Sequence, residues 1–437
     1  MRKLMFFVIL CMLGLSFLNT AYSQQPDSKA SVQIRIEPNH TNSLYKMGEV
    51  VSFKVTVLFK ERPAKNAEIY YEIGPEKMKP MLSGKSSTKG TIILQGGTLD
   101  QPGFLRCVVT TTMDGVTYRN LATVGFEPSQ IKAVAKMPED FLDFWNSSIL
   151  ASEKIAMDPV FTPLPERNTD KVNVYQVSVN NYMPGNKVYG ILCIPKKEGK
   201  YPAIIKFPGA GVWPLYGEPN LAEQGVITLD IGIHGIPLTL DPALYSALNA
   251  GALNGYFMYN LEDKNKYYHK RVFLGCIRAV DLIFQLPEFD GSRLAVCGGS
   301  QGGALAIATA ALDKRVNCVA ALYPALCDLT GYLHQRAGGA PQIVYPEYIN
   351  DPIQQKKIET AGYYDTVNFA RILKIPGFYL WGFNDEACAP TSTYAAYNEI
   401  QSPKELFPDP RLGHWSAPDQ WEKVNNWIFR QFNNNTH

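Results

Sequence analysis

The sequence predicts an α/β fold, a mostly parallel sheet with helices on both faces, preceded by a small all-β sandwich. Three observations predict it. Between residues 25 and about 130 the chain reads as one strand after another; Val51, Phe53, Val55, Val57 and Phe59 share one face, with Ser52, Lys54 and Thr56 opposite. From Pro202 onward apolar strands alternate with helix-forming segments, the pattern of a parallel sheet covered on both sides. Within that pattern stands Gly298-Gly299-Ser300-Gln301-Gly302-Gly303, a glycine-rich turn between the apolar Arg293-Leu294-Ala295-Val296-Cys297 and a run of strong helix formers from Ala304 to Leu312.

A chain of 437 residues is too long for one typical domain. Two are expected, 24–130 as the sandwich and 131–437 as the α/β unit. Hydrophobic content of 46% and charged content of 19% are ordinary for a globular protein, and a net charge of +2 with no basic run implies no polyanion such as nucleic acid as partner. Residues 1–23 read as a secretory signal. Arg2 and Lys3 are followed by an apolar run over 5–18, too short for a span of about 20 residues. Ala21-Tyr22-Ser23 is a small-x-small cleavage site. The mature chain then starts near Gln24, is secreted or periplasmic, and has no membrane attachment after cleavage. Cys11 follows Leu10 rather than a small residue, which argues against a lipid anchor. Removing the signal leaves seven of the eight cysteines, with no C-x-x-C pair. They read as small buried hydrophobes, with pairing of Cys327 or Cys388 left open.

The elements follow in order. Strands are expected at 32–36, 50–59, 68–73, 91–94, 104–112 and 116–126, with Asp114-Gly115 as a hairpin turn between the last two. Several short strands in about a hundred residues suggest an immunoglobulin-like sandwich. Cys107 is its only cysteine, so it has no inter-sheet disulfide. It reads as a spacer or packing partner, with sugar binding as the other option. Residues 129–137 link the modules, and a helix is expected from Pro138 through Trp145. Residues 172–194 form a hairpin around Pro184-Gly185-Asn186. Strands are then expected at 203–207, ending at Pro208-Gly209-Ala210-Gly211, and at 226–231, 316–322, 376–381 and 404–407. A helix over 269–286 places Val272, Cys276, Ala279, Val280 and Ile283 on one stripe, and an amphipathic helix over 421–432 closes the chain.

The turn at Ser300 has the form of a G-x-S-x-G nucleophile elbow. A serine hydroxyl is a weak nucleophile and must meet a base and a carbonyl together, so it is held at the apex of a sharp turn. Cβ groups at 298 and 302 would crowd that turn. The helix that follows directs backbone N–H groups at developing negative charge. With this elbow the order is serine, acid, histidine. Only His334 and His414 follow Ser300, and His414 alone sits between the last strand and the last helix. Asp385 follows the strand at 376–381, where a carboxylate can orient the imidazole. Glu386 is the neighbouring alternative and Asp328 the more distant one. The oxyanion donors are expected to be the N–H groups of Gln301 and Ala210.

On these residues the chain from Pro138 onward resembles the acetyl xylan esterase and cephalosporin C deacetylase family, carbohydrate esterase family 7, on the α/β-hydrolase fold. The matching segments include Phe141-Leu142-Asp143-Phe144-Trp145, Arg278-Ala279-Val280-Asp281, the elbow, Leu326-Cys327-Asp328, Asn368-Phe369-Ala370, Cys388-Ala389-Pro390-Thr391-Ser392-Thr393 and Gly413-His414. The resemblance implies a serine esterase that deacetylates xylan or small acetylated sugars with no cofactor or metal, with Ser300, Asp385 and His414 as its triad. It also implies a ring-shaped homo-oligomer. Three departures bear on the pocket and the oligomer. Gly232-Ile233-His234 stands where the family has Arg-Gly-Gln, Pro208-Gly209-Ala210 where it has His-Gly-Tyr, and Trp415 where it has glutamate. His234 reads either as a pocket residue or as a loop histidine held by structural hydrogen bonds, and Trp213, Trp415 and Tyr245 either as candidates to stack on sugar rings or as core or loop packing. The rival readings are another short-chain carboxylesterase on the same scaffold and a non-catalytic carbohydrate-binding protein.

Overall fold

A computed structural model describes residues 31–434. The signal segment and the mature start near Gln24 lie outside the described residues.

Among the described residues, nine strands make the N-terminal region: β1 (Val32–Pro38), β2 (Leu44–Tyr45), β3 (Val51–Phe59), β4 (Arg62–Pro63), β5 (Lys65–Pro75), β6 (Leu82–Lys89), β7 (Thr91–Gly97), β8 (Gly103–Met113) and β9 (Val116–Phe126). They form two sheets, β1-β3-β4 with β7 on β3, and β2-β9-β8-β5-β6. Val51, Phe53, Val55 and Val57 from the first meet Ile69, Ile73, Leu105, Cys107 and Val109 from the second in one buried core. The alternation read along β3 is therefore the inner face of a sandwich. Asp114 and Gly115, both at positive φ, join β8 to β9 with Met113 opposite Val116. The sequence reading missed β6. Its Leu-Ser-Gly-Lys-Ser-Ser-Thr-Lys has no apolar alternation because it is an edge strand, largely solvated.

The second sheet holds β10 (Val160–Pro163), β11 (Val172–Asn180), β12 (Lys187–Pro195), β13 (Tyr201–Phe207), β14 (Ile227–Gly232), β15 (Phe289–Gly299), β16 (Cys318–Leu322), β17 (Gly377–Gly382) and β18 (Lys404–Asp409). Its order is β10-β11-β12-β14-β13-β15-β16-β17-β18, antiparallel as far as β14 and parallel from there. Every residue of β16 and β17 is buried, as a strand covered on both faces requires. Adjacent residues point to opposite layers. Ile205 and Val296 pack with the helices Tyr268–Gln285 and Gln301–Leu312, whereas Ile204 and Cys297 pack under the closing helix Pro418–Asn434. The stripe read at 272–283 is buried throughout. The first helix of this region starts at Phe141 rather than Pro138, and the carboxylate of Asp140, at its N-cap, is taken by Lys264 and Tyr363.

The chain runs outward from β13 to β14 and then returns to the other side of β13 as β15. The carboxyl ends of β13 and β15 thus flank the point where the strand order reverses, the place where ligands enter such sheets. All seven described cysteines are buried and unpaired, Cys327 and Cys388 included.

The sandwich is not held by its link alone. Phe104 of β8 packs in the core of the second region, with ring centroids 5.0 Å from Phe383 and 5.5 Å from Tyr394.

Candidate active site

Ser300 stands at the end of β15 with φ 58° and ψ −124°, a backbone conformation that costs a non-glycine residue about 1–3 kcal/mol. The glycines around it make the turn feasible. A Cβ at Gly298 would lie 2.5 Å from the Gly302 carbonyl carbon, and one at Gly302 would lie 2.2 Å from the Phe207 oxygen. The Ser300 N–H donates to Leu322 O at 2.9 Å and its carbonyl accepts from Gly303 N and Ala325 N, so the turn is tied to the neighbouring strand. The first turn of the helix Gln301–Leu312 lies directly behind it.

His414 arrives from the loop after β18, and Asp385 from the loop after β17. These two loops lie backbone against backbone. Asn384 N–H donates to Leu412 O at 2.9 Å, and a Cβ on Gly382 would sit 1.9 Å from that same oxygen. His414 Nε2 is 2.9 Å from Ser300 Oγ, and Nδ1 is 2.8 Å from Asp385 Oδ2. The fully buried Asp385 carboxylate also accepts from the Ala387 and Cys388 N–H groups, each at 2.8 Å. Nδ1 therefore donates to Asp385, and Nε2 faces the hydroxyl as acceptor. Burial alone would lower the imidazole's pKa, but the Asp385 carboxylate outweighs it and holds the pKa above its ordinary value.

The two alternative acids have other partners. Asp328 is fully buried, accepts the Val134 and Ala135 N–H groups at 2.8 Å and pairs with Arg336, so it staples the link between the regions. Glu386 is half-exposed and forms a two-pronged pair with Arg119 at 2.6 and 2.9 Å.

The loop after β13 reaches the serine, as expected of an oxyanion loop. A Cβ on Gly209 would lie 3.7 Å from Gly299 O and 3.9 Å from Ser300 Cβ. Its next residues are clamped on both sides. The Gly211 N–H donates to Tyr256 Oη at 3.3 Å, and the Gly211 carbonyl accepts from His234 Nε2 at 2.8 Å. Tyr256 in turn donates to the Gln301 side-chain oxygen at 2.7 Å, joining loop to elbow. His234 completes its hydrogen bonds with Tyr268 Oη at 2.8 Å, and burial lowers its pKa.

A cavity of about 340 Å³ opens above these groups. Ser300, His414, Ala210, Trp213, Leu215, Tyr323 and Trp421 line its reactive and apolar parts, and Lys206 and Asp230 its polar end. Lys206 pairs with Glu218 and lies 4.8 Å from the centre of the Trp421 ring. Burial raises the Asp230 carboxyl to about 7, against the opposing pull of Lys206.

The sequence-stated pocket residues divide. Trp213 lines the cavity and is 37% exposed, its indole lying where a Cβ on Gly211 would have to go. His234 is not among the lining residues; both its ring nitrogens are engaged in bracing the loop. Tyr245 takes the loop-packing role and not the sugar-stacking one. It is 1% exposed, and its hydroxyl donates to Pro237 O and accepts from Leu240 N, so it packs a loop and faces no ligand. Trp415 follows His414 but does not line the cavity. Trp421 and Tyr323 were missed. Trp421 sits in a helix whose apolar stripe signals core, and Tyr323 follows a strand end with no motif around it.

A family model described as acetyl xylan esterase matches residues 127–430. The chain is 35% identical over 438 residues to the acetyl esterase Axe7A of Xylanibacter ruminicola, spanning 99% of this chain and 97% of that one. Among solved structures it is similar to an acetyl xylan esterase from Paenibacillus sp. R4, with TM-score 0.60, 28% identity, and coverage of 70% of this chain and 98% of that one. It shares its fold with acetyl xylan esterase 1 from Thermoanaerobacterium sp. JW/SL YS485, at the same TM-score and coverage and 24% identity.

Proposed function

Because this chain belongs to the acetyl xylan esterase family, a family of carboxylic ester hydrolases, we propose that Ser300, His414 and Asp385 remove acetyl groups from xylan, xylo-oligosaccharides or related acetylated sugars through an acyl-serine intermediate. The single observation that carries the proposal is the continuous relay from Asp385 Oδ2 through His414 to Ser300 Oγ, with contacts of 2.8 and 2.9 Å.

The steps follow from that relay. His414 Nε2 takes the Ser300 proton as Oγ attacks the acetyl carbonyl, and the imidazolium formed is stabilised by Asp385. The oxyanion is received by the N–H groups of Gln301 and Ala210. Each such donor is worth roughly 3 kcal/mol of transition-state stabilisation. His414 then protonates the departing sugar oxygen, and water activated by the same imidazole clears the acetyl-serine. Trp213 and Trp421, on the cavity wall, offer flat apolar faces to a sugar ring. At about 340 Å³ the cavity is near the lower end of the range for small-molecule sites, roughly 300–1,000 Å³, which suits an acetyl group better than a long acyl chain.

The test is release of p-nitrophenol from a series of p-nitrophenyl esters. The wild-type chain is expected to prefer acetate, and Ser300→Ala to abolish turnover while remaining folded. Retained turnover in that variant would refute the assignment, and a preference for long acyl chains would refute the substrate class.

We further place the enzyme outside the cytoplasm, from the signal-like residues 1–23. An exported chain with its N-terminus near Gln24 is the expected finding; an uncleaved Met1 would count against it. The same reading divides the chain at residue 130, with the hydrolase unit beyond it, in keeping with a family match that starts at residue 127.

A further inference from the structure

Besides Arg119, which pairs with Glu386, two basic side chains of the sandwich and one acidic one converge on the loop that carries Asp385. Arg106, on β8, is 7% exposed and Glu76 is 1% exposed. Arg106 donates through one guanidinium nitrogen to Asp385 O at 2.8 Å and to Phe383 O at 3.2 Å, and through Nε to Thr123 Oγ1 at 2.8 Å. Glu76 stands 3.4 Å from the same guanidinium, and its other oxygen accepts the Thr391 N–H at 2.7 Å, at the start of the helix Pro390–Glu399. Lys77 donates to Ala387 O at 3.0 Å. The segment from Phe383 to Thr391 is thus gripped at both ends and in the middle by residues that precede it by some three hundred positions.

We infer that Arg106, with Glu76 as its counter-ion, is a positioning residue for the catalytic acid, so that the sandwich forms part of the working enzyme. The inference rests on the esterase reading above. Its physical basis is the division of labour within one short loop. The N–H groups of Ala387 and Cys388 hold the Asp385 carboxylate, while the carbonyls of Phe383 and Asp385 are held from the sandwich. Loosening the carbonyl side leaves the N–H cradle attached to a mobile strap, and the carboxylate then no longer meets His414 Nδ1 at a fixed point. Glu76 has a second task. A lone buried guanidinium near Asp385 would oppose the imidazolium that forms during reaction. Pairing with Glu76 offsets that charge and leaves the N–H donors in place.

The test uses the full chain with p-nitrophenyl acetate and compares wild type, Arg106→Lys and the double variant Glu76→Gln/Arg106→Met. Arg106→Lys keeps a cation beside Glu76 and so preserves the fold, but one ammonium cannot span Thr123, Glu76 and both carbonyls. Expected is a fall in kcat of about 10-fold for Arg106→Lys and about 100-fold for the double variant, with KM unchanged and labelling of Ser300 by a fluorophosphonate slowed in parallel. Should the double variant not fold, Arg106→Lys alone decides. A folded variant with wild-type kcat, or one altered only in KM, overturns the inference. A wild-type chain with no turnover counts instead against the esterase reading.

Discussion

At His414, three neighbours set the chemistry. Asp385 faces Nδ1, Ser300 faces Nε2, and the Tyr323 ring lies edge-on at 4.8 Å. Because Asp385 raises the imidazole pKa, the base form is populated only above that raised value. Esterase activity therefore rises with pH through it. In Asp385→Asn that support is lost, and the acid limb of kcat/KM moves to lower pH. The amide also presents N–H where Nδ1–H needs an acceptor, so kcat falls by roughly 10⁴. A pH series of kcat/KM for both proteins checks the two effects together; a limb that stays in place shows that another group orients the histidine. Ser300, His414 and Asp385 were all legible, since elbow, chain order and strand ends are local signals. For His234 the sequence left two roles open, pocket wall or a loop histidine held by hydrogen bonds, and the structure shows the second. What it does depends on the Gly211 carbonyl, which the chain brings to it from 23 positions away, and no periodicity reports such a meeting.

Among the elements, the strand–turn–helix around Ser300 is specified most tightly, and glycine is the reason. At Gly302 an added methyl meets the Phe207 backbone oxygen at 2.2 Å, and no rotamer change can relieve a clash with main chain. Gly302→Ala is expected to lower stability by about 1–3 kcal/mol and also to lower kcat, because the shift it forces falls on the strand end that launches the oxyanion loop. Thermal melting and turnover of the purified variant measure both; an unchanged melt would mean that the turn is looser than its spacing implies. Strands were read to within a few residues wherever their faces are apolar, as in β3, β15 and β17. β6 and β10 escaped because they lie at sheet edges and bury little. Trp421 escaped for the opposite reason. A helix with a clear core stripe leads one to assign every aromatic on it to the core, yet this one turns toward the cavity.

On the scale of the molecule, the least legible feature is the seam between sandwich and hydrolase. The strands of the sandwich were read from alternation, but nothing in that pattern says that Phe104 belongs to the other region's core, or that Arg106 reaches past it. The family match starts at residue 127, just after β9 ends at Phe126, so the seam joins the stretch that the family model covers to the stretch that precedes it. The cysteines are distributed over the same whole. Burial raises the thiols of Cys107, Cys276, Cys297 and Cys318 well above their ordinary range, so while the fold is intact they resist alkylation and air. The native enzyme should thus be indifferent to reductant. Once heated past its transition, however, each copy exposes the seven described sulfhydryls to those of other copies, and cooling in air should yield covalently linked aggregate on a non-reducing gel and little recovered activity. Dithiothreitol during the heating should restore part of that activity; identical recovery with and without it would show that something other than sulfur chemistry makes the loss permanent.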